Sequence, residues 1–149
     1  MSETAATTKT EGAVKGGNGK YGFAMRELDI IPAGTGYSTS KGGVVEGERM
    51  LVGYIYKAKG TGSRMHSHPN EQFNYVMQGT LRVEINGVKF DAPAGTLIYV
   101  PANAPHSMVA LPEEDVVFLA IKDLSHGISG KAVDGTMSGP LYMEGFEEK

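Results

Sequence analysis

The sequence predicts an all-β domain, a sandwich or barrel of short strands. Three observations carry that expectation. Apolar and polar residues alternate with a period of two in several short runs. Gly, Pro and Asn separate those runs at regular intervals. No stretch of ten or more residues has a strong helical period. With 149 residues the chain has the length of one domain and enough material to bury a core without staples.

Taken in order, residues 1–20 are rich in Thr, Ala, Gly and Lys and have little to bury, so they read as a flexible N-terminal arm. Gly22 to Ile31 reads as a strand ended by Pro32, and Ala33 to Gly47, with five glycines, as a loop. Arg49 to Lys57 holds Met50, Leu51, Val52, Tyr54, Ile55 and Tyr56 and reads as a strand. Phe73 to Met77 is the next, turning at Gln78-Gly79. Leu81, Val83 and Ile85 alternate with Thr80, Arg82 and Glu84, the mark of a half-buried strand. Asn86-Gly87 follows as a hairpin turn, because both positions tolerate positive φ. Val88 to Phe90 returns, and Asp91 to Gly95 is a loop. Thr96 to Val100 is stopped by Pro101. Pro105 to Leu111 and Val116 to Lys122 complete a barrel over residues 21–123. Residues 124–149 form a Gly-rich C-terminal extension that packs on the barrel, with Leu141, Tyr142, Met143 and Phe146 as its docking patch.

Composition excludes several classes. Hydrophobic content is 40%, charged content 21% and net charge -3, ordinary values for a soluble domain. No basic stripe marks a nucleic-acid footprint. No run of 18 apolar residues marks a membrane span, and no secretory signal is visible. Cysteine is absent, which excludes disulfides, thiolate metal sites and cysteine nucleophiles. A cytoplasmic location fits that absence.

Three of the four histidines fall in two short blocks. The first runs from Gly60 to Gly79 and contains His66, Ser67, His68 and Gln72. Residues two apart on a strand share a face, so two imidazoles about 7 Å apart can converge on one ion. Gln72 continues the same parity into the next strand. The second block runs from Gly95 to Ala110, with His106 opening a strand after Pro101 and Pro105, whose rings restrict the turn.

These blocks resemble the two conserved motifs of the cupin superfamily. Gly60, His66, His68 and Gly79 sit in register with the first, with Gln72 in the glutamate slot and Glu71 one place early, pointing to the opposite face. Gly95, Pro101 and His106 match the second, with Asn103 for a glycine and Ala110 for an asparagine. The resemblance implies a jelly-roll barrel, the double-stranded β-helix of cupins. It implies one divalent transition metal ion held by His66, His68, Gln72 and His106, with Fe(II) favoured and Zn, Ni, Mn or Cu compatible with nitrogen and oxygen ligands. Three imidazoles and an amide leave the ion its full charge, which favours a small anionic, chelating substrate.

Arg64 shares parity with the histidines and is a candidate to clamp a substrate carboxylate, against a solvated strand-end role. Asn74 is a candidate hydrogen-bond donor to substrate, against a structural role. Val76, Ile98, Val100, Met108 and Phe118 are candidates for apolar lining or plain core. Tyr54, Tyr56, Tyr75 and Tyr99 carry hydroxyls that could work near the metal, with strand parity unsettled at Tyr54 and Tyr56, and His126 reads as solvated. The resemblance favours a dioxygenase that cleaves a β-dicarbonyl or hydroxylated aromatic acid with O2. The alternatives are an O2-independent lyase, isomerase or cyclase using the metal as Lewis acid, and a non-catalytic binding module. A homodimer or higher homo-oligomer is expected, paired through the Gly22 to Ile31 strand and the N-terminal arm.

Overall fold

The computed structural model describes residues 8–34, 36–132 and 139–147. Its strands are β1 (Val14–Lys15), β2 (Ile31–Pro32), β3 (Lys41–Glu46), β4 (Met50–Lys57), β5 (Thr61–Gly62), β6 (His66–Ser67), β7 (Gln72–Gln78), β8 (Thr80–Ile85), β9 (Val88–Pro93), β10 (Leu97–Val100), β11 (His106–Ala110), β12 (Val116–Asp123), β13 (Lys131–Ala132) and β14 (Leu141–Tyr142). They form two sheets, as an all-β jelly roll requires. The first runs β1-β3-β4-β12-β7-β10, with β2 on β3. The second is centred on β11, which pairs with β8 and through it β9, and also with β5 and β6; β14 adds to β5 and β13 to β6. Among the described residues no helix is long and apolar enough to cross a membrane.

Strand parity decides what fills the space between the sheets. In β4 the odd residues point in; in β7 and β12 the even ones do. Ile55, Val76 and Phe118 from the first sheet meet Leu81, Val83 and Met108 from the second, all almost completely buried. Asn86 and Gly87 adopt φ of 49° and 82°, the paired positive values of the expected hairpin turn.

Three expectations need correction. The loop assigned to Ala33–Gly47 contains β3, a central strand. Its glycines are a packing requirement: a Cβ on Gly42 would lie 1.8 Å from the Tyr54 carbonyl oxygen of β4. The strand assigned to Gly22–Ile31 is one turn of 3-10 helix, Met25–Glu27, then an extended run into β2. Alternation holds through Tyr21, Phe23 and Met25 and breaks at Leu28, and the turn lies on the bare Gly43 backbone. That segment presents no long strand edge for pairing. The end of the first sheet is β10, beside exposed Phe73, Tyr75, Leu97 and Tyr99. The strand assigned to Val88–Phe90 continues through Pro93.

The segment expected as a free arm is anchored over the residues described. The backbone N–H groups of Lys9 and Thr10 donate to the buried Glu46 carboxylate at 2.8 and 2.9 Å, and β1 runs parallel to β3. Residues 1–7 of that arm lie outside the described residues. The C-terminal segment docks through β14 and through Phe146, whose ring lies against Gly60; a Cβ there would sit 2.3 Å from the ring.

Gly42→Ala is expected to lower unfolding free energy by about 1–3 kcal/mol or more, because the methyl meets backbone that cannot rotate away. Gly22→Ala, which meets nothing within 4 Å, is expected to change it by less than about 0.5 kcal/mol. Urea denaturation of the two variants checks the contrast.

Candidate metal centre

The register of the second sheet builds the site. His66 on β6 is paired directly with His106 on β11, so their side chains leave neighbouring backbones on the same face. Their ring centroids are 4.1 Å apart, and His68 lies 4.8 Å from His106. The three residues offer ligand nitrogens within 4.8 Å of one another, and all three are buried.

Each ring is held the same way. Nδ1 of His66, His68 and His106 lies 2.7, 2.9 and 2.9 Å from the carbonyl oxygens of Arg64, Asn70 and Ala104. A carbonyl only accepts, so each Nδ1 carries the proton and donates it. Each Nε2 is left with a bare lone pair, as a metal ligand requires. Asn70 extends this support, because its amide nitrogen donates to the carbonyls of Asp123 and Gly127 and ties the His68 segment to the chain after β12. Asn103, in the slot where the family motif has glycine, adopts φ of 63° and donates its N–H to the His68 carbonyl. Asparagine tolerates the left-handed region, so the turn survives the replacement.

The opposite wall comes from the first sheet. Gln72 and Asn74 point inward from β7, and Gln72 Nε2 donates to Asn74 Oδ1 at 2.6 Å. Asn74 Nδ2 in turn approaches the Met108 sulfur at 3.2 Å. Gln72 Oε1 and His68 Nε2 are both buried without a hydrogen-bond partner. Buried polar atoms are rarely left so. Three convergent imidazoles and an orphaned amide oxygen fit a divalent transition metal ion. Glu71 is exposed and accepts from the Tyr99 hydroxyl, so it faces away as its parity requires.

Two lysines complete the wall. Lys57, at the end of β4, donates to the Met108 carbonyl at 3.0 Å; Lys122, near the end of β12, donates to the Ile128 carbonyl at 2.5 Å. Both are buried and both line the cavity of about 40 Å³ beside His66 and His106. Burial lowers each to about 7, and for Lys57 the charge of Lys122 adds to the effect. Burial likewise lowers His66 to about 2, His68 to about 4 and His106 to about 3. Lys57 depresses His66 and His106 further, and Lys122 depresses His68 and His106. The imidazoles are therefore neutral near pH 7 without a metal. Tyr37 stacks on His66 at 4.3 Å and accepts the Gly130 N–H through its hydroxyl; burial raises its pKa.

The structure brings His66, His68, Gln72, His106 and Asn74 together. Arg64 is elsewhere: its Nε donates to the Gly139 carbonyl at 2.7 Å, and its side chain does not line the cavity. It braces the C-terminal segment. Met108 and Phe118 line the cavity, whereas Val76, Ile98 and Val100 are core. His126 is exposed. Lys57, Lys122 and Tyr37 are the residues that sequence reasoning missed. For the lysines a signal existed, since each has the parity of its strand's inward residues, Ile55 for Lys57 and Ala120 for Lys122. Tyr37 lies in a loop and had none.

Residues 54–122 match the cupin domain family, and they contain all four candidate ligands and both lysines. That segment, a little under half of the chain, is similar to a cupin domain. Over 64 residues it is 34% identical to the dimethylsulfoniopropionate lyase DddW of Ruegeria pomeroyi, a stretch that is 43% of this chain and 42% of that protein. The match thus spans less than half of the relative's length. Among solved structures, the polyketide cyclase RemF of Streptomyces resistomycificus superposes with a TM-score of 0.60 at 18% identity, over 69% of this chain and 78% of that one. An RmlC-like cupin of Shewanella frigidimarina gives a TM-score of 0.57 at 22% identity, over 69% and 88%. At those identities the structures establish the cupin fold alone.

His106→Ala is expected to lose stoichiometric metal while keeping the β-sheet circular-dichroism signature; full metal content in that variant would remove His106 from the ligand set. The metal-free protein has a defined pH response. Its histidines hold fewer protons than the unfolded chain below about pH 6.5, so stability falls as pH drops from there. Its lysines hold fewer between about 7 and their ordinary 10.5, so stability rises with pH across that range. The slope is at most about 1.4 kcal/mol per pH unit for each group. Urea unfolding of chelator-treated protein at a series of pH values checks it, with a flatter rise above pH 7 expected for Lys122→Met.

Proposed function

We propose that this cupin is a metal-dependent enzyme performing O2-independent, lyase-type chemistry on a small organic anion. The charge of the cavity carries the proposal. Histidine, amide and two buried lysines line it, and no carboxylate does so among the described residues. His66, His68 and His106 would hold the ion through Nε2, with Gln72 Oε1 as fourth ligand. When bound, the ion supplies Lewis acidity to a substrate oxygen.

The remaining work falls to the chain. Lys57 and Lys122 attract a carboxylate and hold it beside the histidines. Asn74 receives the Gln72 amide N–H and so turns Gln72 Oε1 away from itself. Tyr37 covers His66 and keeps water from that side. A buried ammonium gives its proton to the leaving group and recovers one from the carbon beside the carboxylate. The dioxygenase expectation draws on the neutral ligand set alone and leaves both lysines without a role. A non-catalytic binding module would leave the two buried lysines without an acid–base role. The lyase named as a relative supports the O2-independent choice.

Metal-loaded protein, incubated without O2 with a panel of small carboxylates including dimethylsulfoniopropionate, is expected to turn at least one over. Chelation should abolish the activity and metal should restore it. Lys122→Met is expected to lose about 100-fold or more in kcat/KM, the usual scale of one acid–base group. Oxygen uptake proportional to iron content, with no product under nitrogen, would sink this assignment and restore the dioxygenase.

A further inference from the structure

Among the described residues, Lys57 and Lys122 are buried cations with no carboxylate partner. They are 2% and 5% exposed, and each Nζ donates to a neutral carbonyl. The nearby acids are committed elsewhere. Glu46 accepts from the Lys9 and Thr10 backbone, Asp123 from the Glu71 and Ser125 backbone, and Asp115 from the Lys59 backbone. Buried cations without counter-charge are costly, and such a pair is explained when a ligand supplies the missing negative charge.

Their placement says where that charge belongs. Lys57 pairs with Val116, and Lys122 stands six residues further along β12, opposite Leu51. At about 3.3 Å per residue the two attachment points are roughly 20 Å apart along the sheet. Both side chains nevertheless line one cavity, together with His66 and His106. The charge of Lys57 is felt at His66 and His106, and that of Lys122 at His68 and His106. A single anionic group answers one of these cations and leaves the other bare. With a divalent ion in place, the neutral ligand set would leave both lysine charges and the full metal charge in one small space.

We propose that Lys57 and Lys122 form a two-point clamp that selects a short dianion, a dicarboxylate or a carboxylate with a second ionised oxygen, over monoanions. The cavity is small, which favours a ligand of a few carbons. The clamp rests on the lyase assignment for its chemistry but not for its binding.

Calorimetric titration of chelator-treated protein at about pH 6, where both lysines are charged, tests the clamp with malonate and succinate against acetate and propionate. The wild-type protein is expected to hold the better dicarboxylate at least about tenfold tighter than either monocarboxylate. Lys57→Met and Lys122→Met are each expected to reduce that preference to less than about threefold, with thermal midpoints equal to or above wild type because a buried charge has gone. Equal wild-type affinities overturn the clamp without any variant, and so does a preference that survives either substitution. A dicarboxylate preference in a protein that turns nothing over without O2 leaves the clamp standing and removes the lyase. Anaerobic turnover with no such preference removes the clamp alone.

Discussion

The pairing of His66 opposite His106 is the constraint on which the site depends. In an antiparallel ladder a shift of one residue would send one of the two imidazoles to the far side of the sheet. The pairing is held by its surroundings. β11 is clamped on one edge along its whole length by β8 and on the other by the short β5 and β6. The carbonyls that receive the three Nδ1–H groups belong to the same turns that position the rings. Ligand orientation and backbone conformation are thus one arrangement, and a ring cannot turn without breaking a buried hydrogen bond.

The two walls of the cavity contribute different chemistry. The second sheet supplies neutral nitrogen lone pairs, and the first supplies an amide and two cations. Among the described residues neither sheet lines the cavity with a carboxylate. Desolvation acts on both walls in the same direction, because it disfavours the charged form of imidazole and of ammonium alike. An empty site therefore sheds protons, and an anion entering it stabilises the charged lysines again. These electrostatics are the preparation that the proposed anionic guest would meet.

The chain termini are part of this preparation. Glu46 on β3 holds the backbone of Lys9 and Thr10; the Thr10 hydroxyl accepts the Ile128 N–H; the Ile128 carbonyl accepts from Lys122. A buried carboxylate satisfied by two N–H groups is a firm anchor. Through these hydrogen bonds it supports the segment against which Lys122 rests. On the other side Phe146 covers Gly60 and Arg64 ties down Gly139. Segments that looked like trimmings in the sequence are wall material in the fold.

By itself the sequence determined the all-β class, the hairpin at Asn86-Gly87, the inward parity of Gln72 over Glu71 and the two histidine blocks. These depend on local rules, on period-two alternation, turn chemistry and ligand spacing, which a run of residues carries within itself. Only the tertiary structure decided that the glycine-rich stretch 41–46 is a central strand, because the need for Gly42 is set by the Tyr54 carbonyl of another strand. It also decided that Arg64 serves the C-terminal segment and not the cavity. The lysines show the boundary most clearly. Parity on β4 and β12 makes Lys57 and Lys122 face inward, yet a lysine at a strand end commonly bends its long stem back to water. Whether it does so depends on what closes the end of the barrel, and that closure comes from residues far away in the chain.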